Sequence, residues 1–255
     1  MESIQEIKVR LEGCDLNQLP EVLAEYGMDS RKGVIRLLKQ YAGKYEKLKK
    51  EELRLDHMLD YEREYGAYTY IAGVDEAGRG PLAGPVVAAA VILPKALKIM
   101  YLDDSKKLTA AKREELFDMI MEQAVSVGVG QSSPETIDQV NILQATYLAM
   151  KEAVSKLSPK PELLLNDAVM IPGLSVRQVP IIKGDGKSLS IAAASVIAKV
   201  TRDRMMTAYD SLYPAYGFAE HKGYGSKRHI EVLKSTGPCP IHRRSFIKKF
   251  CEGFD

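Results

Sequence analysis

The sequence lacks the residues on which several classes of function depend. It contains no tryptophan, and aromatic residues make up only 7% of its 255 positions, which excludes binding through many stacked rings. Its three cysteines are odd in number and far apart, and Cys239-Pro-Ile-His242 has no second ligand pair to complete a zinc site. This cysteine pattern predicts a reduced, cytoplasmic setting.

Long hydrophobic runs and an excess of one charge are also absent. No run of about 18 apolar residues occurs, and the first residues lack the basic and then apolar pattern of a signal peptide. The formal net charge is only +2, from 36 basic and 34 acidic side chains, so the chain is not a general polycation. We therefore expect no membrane partner, and any nucleic acid must bind to a local face.

The remaining composition, 45% hydrophobic and 27% charged, suits one large core with an extension. From Val34 to Leu59 apolar residues recur every three or four positions, which predicts one long amphipathic helix. Pro20 and Gly27 favour a shorter helix before it. We expect a small all-helical N-terminal extension over residues 1–68.

From residue 69 onward, short apolar strands alternate with helices. Strands are predicted at about residues 70–74, 85–93, 125–130, 162–165 and 176–182. Helices are predicted from Thr109 to Gln123, from Ser133 to Leu157 and from Ser188 to Leu212. This alternation indicates an α/β domain over residues 69–255 with a helical C-terminal part.

Four acidic residues follow predicted strands: Asp75, Glu76, Asp167 and Asp185. Acidic residues often simply begin turns, but ligands of open sheets also bind beyond strand ends. Converging carboxylates repel each other by about 4 kcal/mol per pair at about 4 Å and a dielectric near 20. Mg²⁺ or Mn²⁺ would relieve this repulsion, and two such ions about 4 Å apart support phosphodiester hydrolysis.

The glycine-rich segment Gly78-Arg79-Gly80-Pro81-Leu-Ala-Gly84 is not a dinucleotide fingerprint, because its spacing is wrong and a strand follows it. Nor is Gly186-Lys187-Ser188 a P-loop, because Ile181 stands where the first glycine is required. The glycines of the first segment let the backbone approach a ligand, and the Arg79 fork suits phosphate.

Six segments of the chain resemble bacterial ribonuclease HII, the type 2 ribonuclease H. They are Tyr70-Ile-Ala-Gly-Val-Asp-Glu-Ala-Gly-Arg-Gly-Pro-Leu-Ala-Gly-Pro85, Asp104-Ser-Lys-Lys-Leu108, Leu165-Asn-Asp-Ala168, Lys183-Gly-Asp185, Ala192-Ala-Ala-Ser-Val-Ile-Ala-Lys-Val-Thr-Arg-Asp-Arg204 and His221-Lys-Gly-Tyr-Gly-Ser226. The resemblance implies a ribonuclease H-like fold, a mixed five-stranded sheet flanked by helices. It also implies hydrolysis of RNA in RNA–DNA hybrids and nicking of duplex DNA 5′ to embedded ribonucleotides. These reactions would serve ribonucleotide removal and primer processing, and would leave 3′-hydroxyl and 5′-phosphate ends.

The resemblance also assigns roles to residues. The metal-binding catalytic carboxylates would be Asp75, Glu76, Asp167 and Asp185, with two Mn²⁺ or Mg²⁺ ions. The substrate-binding residues would be Gly78, Arg79 and Gly80 at the ribonucleotide, Ser105, Lys106 and Lys107 at the nucleic-acid backbone, and Tyr224 on the next sugar. A purely structural Tyr224 and lysines without a role are the alternatives. The implied partners are RNA–DNA hybrids and duplex DNA containing ribonucleotides, bound by a monomer.

Other polar residues are expected to play lesser parts. We interpret Asp103 and Asp104 as turn residues, Asp203 as a helix-surface residue, and the histidines 221, 229 and 242 as surface or backbone-binding residues. Residues 213–255 hold eight basic and four acidic side chains. The candidates for phosphate contacts are Lys222, Lys227, Arg228, Arg243 and Arg244.

Two other functions fit parts of the sequence. The sister type, ribonuclease HIII, has a β-rich extension and usually a glutamate as its fourth carboxylate, whereas this chain has a helical extension and Asp185. An inert hybrid-binding module would not need four carboxylates. The extension lies outside the resemblance, and it either supports substrate binding, docks on the catalytic domain or is a dispensable appendage.

Overall fold

The structure is a computed structural model that describes residues 2–251. The chain divides into two compact units, Met1–Asp56 and His57–Asp255. The boundary that we expect at residues 68/69 stays a prediction. None of the described helices has the length and apolar character needed to cross a bilayer.

The N-terminal unit consists of helices, as the hydrophobic pattern predicts. Its helices are α1 (Ile4–Glu12), α2 (Leu19–Glu25) and α3 (Lys32–His57). Helix α1 begins with a capping box, in which Ser3 and Glu6 satisfy each other's backbone N–H groups. Ile7, Leu19 and Val34 are buried in the core of this unit.

The second unit is built on one mixed five-stranded sheet. The strands are β1 (Ile71–Ala77), β2 (Val86–Ile92), β3 (Ser126–Ser132), β4 (Leu163–Asp167) and β5 (Arg177–Ile181). Their order is β3-β2-β1-β4-β5. The pairs β1–β2 and β2–β3 are antiparallel, whereas β1–β4 and β4–β5 are parallel. The ribonuclease H-like sheet that the resemblance implies is therefore confirmed.

Helices cover the sheet and form the C-terminal part of this unit. They are α4 (Asp60–Glu64), α5 (Ala110–Gln123), α6 (Pro134–Ser155), α7 (Leu189–Leu212), α8 (Phe218–His221), α9 (Lys227–Thr236) and α10 (Arg244–Ile247). Helix α6 packs on β2 and β3, and α7 packs on β1 and β2. The long helix expected after Ser133 is interrupted, because Asn141 has a φ of 68° and kinks α6.

Helix α7 comes unusually close to β1 at Gly73. A Cβ atom added at this glycine would lie 2.0 Å from the carbonyl carbon of Ser190. Only a residue without a side chain therefore allows this contact. The close approach matters for the site, because it holds the buried helix against the strand that carries Asp75.

The histidines at 229 and 242 are buried, so our interpretation of them as surface residues was wrong. Each side chain is at most 2% exposed. Their Nε2 atoms lie 3.0 Å apart, and the Nδ1 atom of His229 lies 2.8 Å from the carbonyl oxygen of Tyr224. Cys239 N–H donates to Nδ1 of His242, which makes the Nε2–H of His242 the donor between the rings. Both rings pack around Phe218.

We predict that Gly73→Ala destabilises the second unit by about 1–3 kcal/mol or prevents it from folding, because the added methyl overpacks the contact between β1 and α7. Urea denaturation measures the change. Gly80→Ala is the matched control, because an added Cβ there meets no atom within 4 Å. Equal stability of the two variants would contradict the close approach.

We also predict that acid weakens the fold through His242. Burial, and then the neighbouring His229, lower the pKa of His242 to about 4. Because the unfolded chain binds this proton more readily, the stabilisation is present above about pH 6.5 and is lost as the pH falls toward 4, by on the order of 2–3 kcal/mol.

The measurement is urea denaturation of the wild type and His242→Gln between pH 8 and pH 4.5. The wild type should be the more stable at pH 8, and the difference should shrink with acid. His57→Gln is the control, because the His57 side chain is 71% exposed. A difference that is independent of pH would rule out His242 as the source.

Candidate active site

The parallel strands of the sheet bring the predicted carboxylates to one edge. Asp75 lies near the end of β1 and Asp167 at the end of β4. Asp185 lies in a short 3₁₀ helix, Gly184–Gly186, that follows β5. One oxygen from each of these three aspartates lies within 4.8 Å of the other two. The three residues thus form one cluster of possible metal ligands, which we call the Asp cluster.

Glu76, the fourth predicted carboxylate, is not part of the Asp cluster. Its Oε1 atom accepts a hydrogen bond from Nη1 of Arg79 at 3.2 Å. Its backbone N–H donates to Oδ1 of Asp75 at 2.7 Å. Glu76 therefore stays in the same cleft as the aspartates, with its charge directed toward the glycine-rich loop.

Burial and the charges of neighbouring carboxylates make three of these residues, Asp75, Glu76 and Asp185, hard to ionise. Desolvation, and then the charges of Glu76 and Asp167, raise the pKa of Asp75 well above its usual value. Desolvation also raises the pKa of Glu76, although Arg79 opposes the shift. The pKa of Asp185 is raised by desolvation and by Asp104 and Asp167. The site is therefore built to hold a compensating positive charge.

Neighbouring groups fix the positions of the aspartates. Oδ1 of Asp167 accepts the N–H of Gly184 at 2.7 Å, which ties the end of β4 to the loop that carries Asp185. Ser195, on α7, donates its hydroxyl to Asp75 and thereby favours the charged carboxylate. Sequence reasoning missed Ser195, although a hydroxyl inside the apolar half of a buried helix was an available signal.

The segment 103–107 supplies further charges to the site. Lys106 Nζ lies 3.5 Å from Oδ2 of Asp185, and Lys107 Nζ lies 3.0 Å from Oδ1 of Asp103. Ser105 is buried, and its Oγ atom lies 2.9 Å from Oγ of Ser195. Asp104 acts directly on Asp185, so our interpretation of it as only a turn residue was incomplete.

Two clefts surround the Asp cluster and share Lys106 and Asp167 in their walls. The first has a volume of about 550 Å³ and is lined by Asp75, Glu76, Gly78, Arg79, Gly80, Ser105 and Tyr224, among others. The second has a volume of about 650 Å³ and is lined by Lys107 and Asp185, among others. Each of the eleven residues to which the resemblance assigns metal or substrate binding thus lines one of the two clefts.

Arg243 does not face these clefts, although we expected it to contact phosphate. Its side chain is fully buried and donates hydrogen bonds to backbone carbonyl oxygens. Arg228, by contrast, is exposed and pairs with Glu220 at 2.9 Å. The count of basic residues in the C-terminal part therefore overstates the charge that is available to a ligand.

Comparisons with known proteins identify the family of the chain. The model of the family described as Ribonuclease HII matches residues 72–249, and that of the Ribonuclease HII N-terminal domain matches residues 3–66. The ribonuclease HII of Lachnoclostridium phytofermentans is 57% identical over 245 residues, 96% of each chain. That of Clostridioides difficile is 50% identical over 248 residues, 96% of this chain and 97% of the relative. The extension, which our resemblance did not include, is thus matched as well.

Solved structures show the same fold. The ribonuclease H2 from Pyrococcus horikoshii OT3 has a TM-score of 0.61 and 30% identity, covering 72% of this chain and 97% of that one. The RNase HII in a complex with PCNA from Archaeoglobus fulgidus has a TM-score of 0.58 and 31% identity, covering 68% and 93% of the two chains. Because a family model spans most of the second unit and relatives are at least half identical along nearly the whole chain, the chain belongs to the ribonuclease HII family.

Proposed function

We propose that this chain nicks duplex DNA 5′ to an embedded ribonucleotide and hydrolyses the RNA strand of hybrids, leaving 3′-hydroxyl and 5′-phosphate ends. As a ribonuclease HII, it is a metal-dependent hydrolase of phosphodiester bonds that acts on RNA–DNA hybrids. The finer specificity rests on one observation: carboxylates of the Asp cluster and the loop Gly78–Gly80 line the same cleft.

The donors of the Asp cluster suit a hard divalent cation. Three carboxylate oxygens lie within 4.8 Å of one another, and Mg²⁺ and Mn²⁺ prefer oxygen ligands. Burial, and then the charges of Glu76 and Asp167, raise the pKa of Asp75, and a bound cation would favour its charged form. Asp75, Asp167 and Asp185 would hold the ions, with Glu76 as a further ligand. Two bound ions would supply an activated water and stabilise the departing 3′-oxygen.

The loop Gly78–Gly80 is suited to recognising a ribose. Gly78 has a φ of 92°, so this backbone turn favours glycine. The 2′-hydroxyl both donates and accepts hydrogen bonds, and it is the group that distinguishes RNA from DNA. Backbone groups of the loop would contact this hydroxyl, and the Arg79 guanidinium would bind the adjacent phosphate.

The positions of Tyr224 and Lys106 support contacts on either side of the scissile phosphate. Tyr224 is 46% exposed and lines the same cleft as Arg79, so its ring is available to pack on the next sugar. Lys106 lines both clefts and lies beside Asp185, where its ammonium group can also meet a phosphate oxygen. His229 and His242 are buried and line neither cleft, so neither is placed to act as a base.

We predict that divalent ions stabilise the protein through the Asp cluster. Mn²⁺ at about 100 times its dissociation constant should add about 2.7 kcal/mol to the free energy of unfolding of the wild type. Asp75→Asn should lose most of this gain, because it removes one ligand. In chelator, the same variant should be at least as stable as the wild type, because a buried like charge has been removed.

Thermal denaturation with Mn²⁺ or with chelator measures both effects. Asp118→Asn is the matched control, because Asp118 is an exposed carboxylate on α5. A Mn²⁺ gain in Asp75→Asn equal to that of the wild type would refute the assignment of the site.

We predict that Asp75→Asn and Asp185→Asn each lower Mn²⁺-dependent nicking by at least about 10³-fold, because metal ions stabilise the transition state by several kcal/mol. Binding of the duplex should persist. The assay compares a duplex containing one ribonucleotide with a long RNA–DNA hybrid, and the cut position is mapped by gel.

The expected cut lies 5′ to the ribonucleotide, and Asp118→Asn should cleave like the wild type. Binding without any cleavage by the wild type would instead indicate an inert hybrid-binding module. Unchanged cleavage by both aspartate variants would refute the roles of the carboxylates.

A further inference from the structure

A fully buried arginine lies behind the loop Gly78–Gly80. The Arg243 guanidinium donates through Nη2 to the carbonyl oxygen of Gly78 at 2.5 Å and through Nη1 to that of Arg79 at 2.8 Å. Its Nε donates to the carbonyl oxygen of Gly84 at 2.9 Å. One side chain, from more than 150 positions along the chain, thus binds the loop at Gly78 and Arg79 and the backbone that follows it at Gly84.

A second buried arginine connects the residues that follow this loop, Ala83 and Pro85, to the segment that carries Tyr224. Arg202, on α7, donates to the carbonyl oxygens of Ala83, Pro85 and Lys222 at 2.9 to 3.0 Å. The backbone of Leu82 also donates to Gly223 at 2.8 Å. Arg202 and Arg243 therefore hold the two segments that face the cleft through one set of buried hydrogen bonds, which we call the arginine frame.

The arginine frame lowers the stability of the fold, because it buries two positive charges, so we infer that it has a role beyond packing. Among residues 2–251, neither guanidinium has a carboxylate oxygen within 4.0 Å. Burial, and then repulsion from Arg202, lower the pKa of Arg243 to about 9, so it remains charged at neutral pH. A buried charge whose hydrogen bonds go to neutral carbonyl groups is retained at the expense of stability.

The hydrogen bonds of Arg243 determine where the amide groups of the loop point. In a trans peptide the C=O and the following N–H point in opposite directions. Because the carbonyl groups of Gly78 and Arg79 point toward Arg243, the N–H groups of Arg79 and Gly80 must point away from it. Arg79 and Gly80 line the first cleft, on the side of the loop opposite to Arg243.

We propose that Arg243 is a positioning residue for ribonucleotide recognition: by holding the Gly78 and Arg79 carbonyl groups inward, it presents the N–H groups of Arg79 and Gly80 to the 2′-hydroxyl. This inference rests on the proposed function, whose substrate it concerns. Lysine cannot replace Arg243, because an ammonium group lacks the planar fork that reaches three separate carbonyl groups.

The test measures affinity with chelator present, so that the metal-dependent reaction cannot occur. Dissociation constants are determined for a duplex with one ribonucleotide and for the same duplex made entirely of DNA. In Arg243→Lys, the preference for the ribonucleotide duplex should fall by about 10-fold, as expected for lost charge-assisted hydrogen bonds. The affinity for the all-DNA duplex and the stabilisation by Mn²⁺ should stay at wild-type values.

Arg177→Lys is the matched control. Arg177 begins β5, at the opposite end of that strand from Asp185. The Arg177 guanidinium donates to Oη of Tyr68 at 2.9 Å. This variant should keep the full preference for the ribonucleotide duplex. A preference equal to that of the wild type in Arg243→Lys, or an equal loss of affinity for both duplexes, would overturn the proposal.

Hydrogen–deuterium exchange of the wild type tests the inference even if Arg243→Lys does not fold. The amides of the peptide containing Arg79 and Gly80 should be protected more by the ribonucleotide duplex than by the all-DNA duplex. Equal protection by both duplexes would refute the role of these N–H groups. Failure of the proposed function gives a different result, because the wild type would then neither prefer nor nick the ribonucleotide duplex.

Discussion

The parallel pairing of β1 with β4 is the constraint on which the rest of the site depends. Val74 pairs with Asn166, so the next residues along the two strands are Asp75 and Asp167. Leu163, Leu164 and Leu165 are buried on both faces of β4, and a slip of one residue would move the Asn166 and Asp167 side chains to the opposite faces of the sheet. Burial of apolar surface thus forces two carboxylates together against their mutual repulsion.

Helix α7 makes this arrangement rigid from one side. It lies so close to β1 that Gly73 has room only for a hydrogen atom, and from the same helix Ser195 reaches Asp75 and Arg202 reaches the glycine-rich loop. A single buried helix therefore contacts both the Asp cluster, at Asp75, and the backbone that follows the loop, at Ala83 and Pro85. The stability lost to buried charges is offset by the apolar packing of the same helix.

Much of this molecule was predictable from sequence because its signals are local. Strand ends marked the four carboxylates, and apolar periodicity marked the helices to within a few residues. The kink at Asn141, the effect of Asp104 on Asp185 and the burial of Arg243 were not predictable. The last two depend on contacts between distant parts of the chain, which composition and periodicity do not report. Arg243 shows this limit of sequence analysis most clearly. A basic residue in a basic segment is predicted to bind phosphate, but the sequence does not show whether its side chain points to solvent or to the core.

The distribution of charge explains how a chain with a formal net charge of only +2 can select a polyanion. The Asp cluster repels phosphate until cations bind, while Arg202 and Arg243 set positive charge behind the loop that would meet it. The Asp cluster does not attract DNA by itself, because it is negative. The two arginines do not attract DNA strongly, because backbone lies between them and the cleft. Under the proposed function, cleavage then requires cations at the Asp cluster and a 2′-hydroxyl at the loop together, whereas binding alone does not require the cations. Selectivity for a ribonucleotide over DNA would thus arise because the Asp cluster with its cations and the loop lie in one cleft, where they act on the same nucleotide.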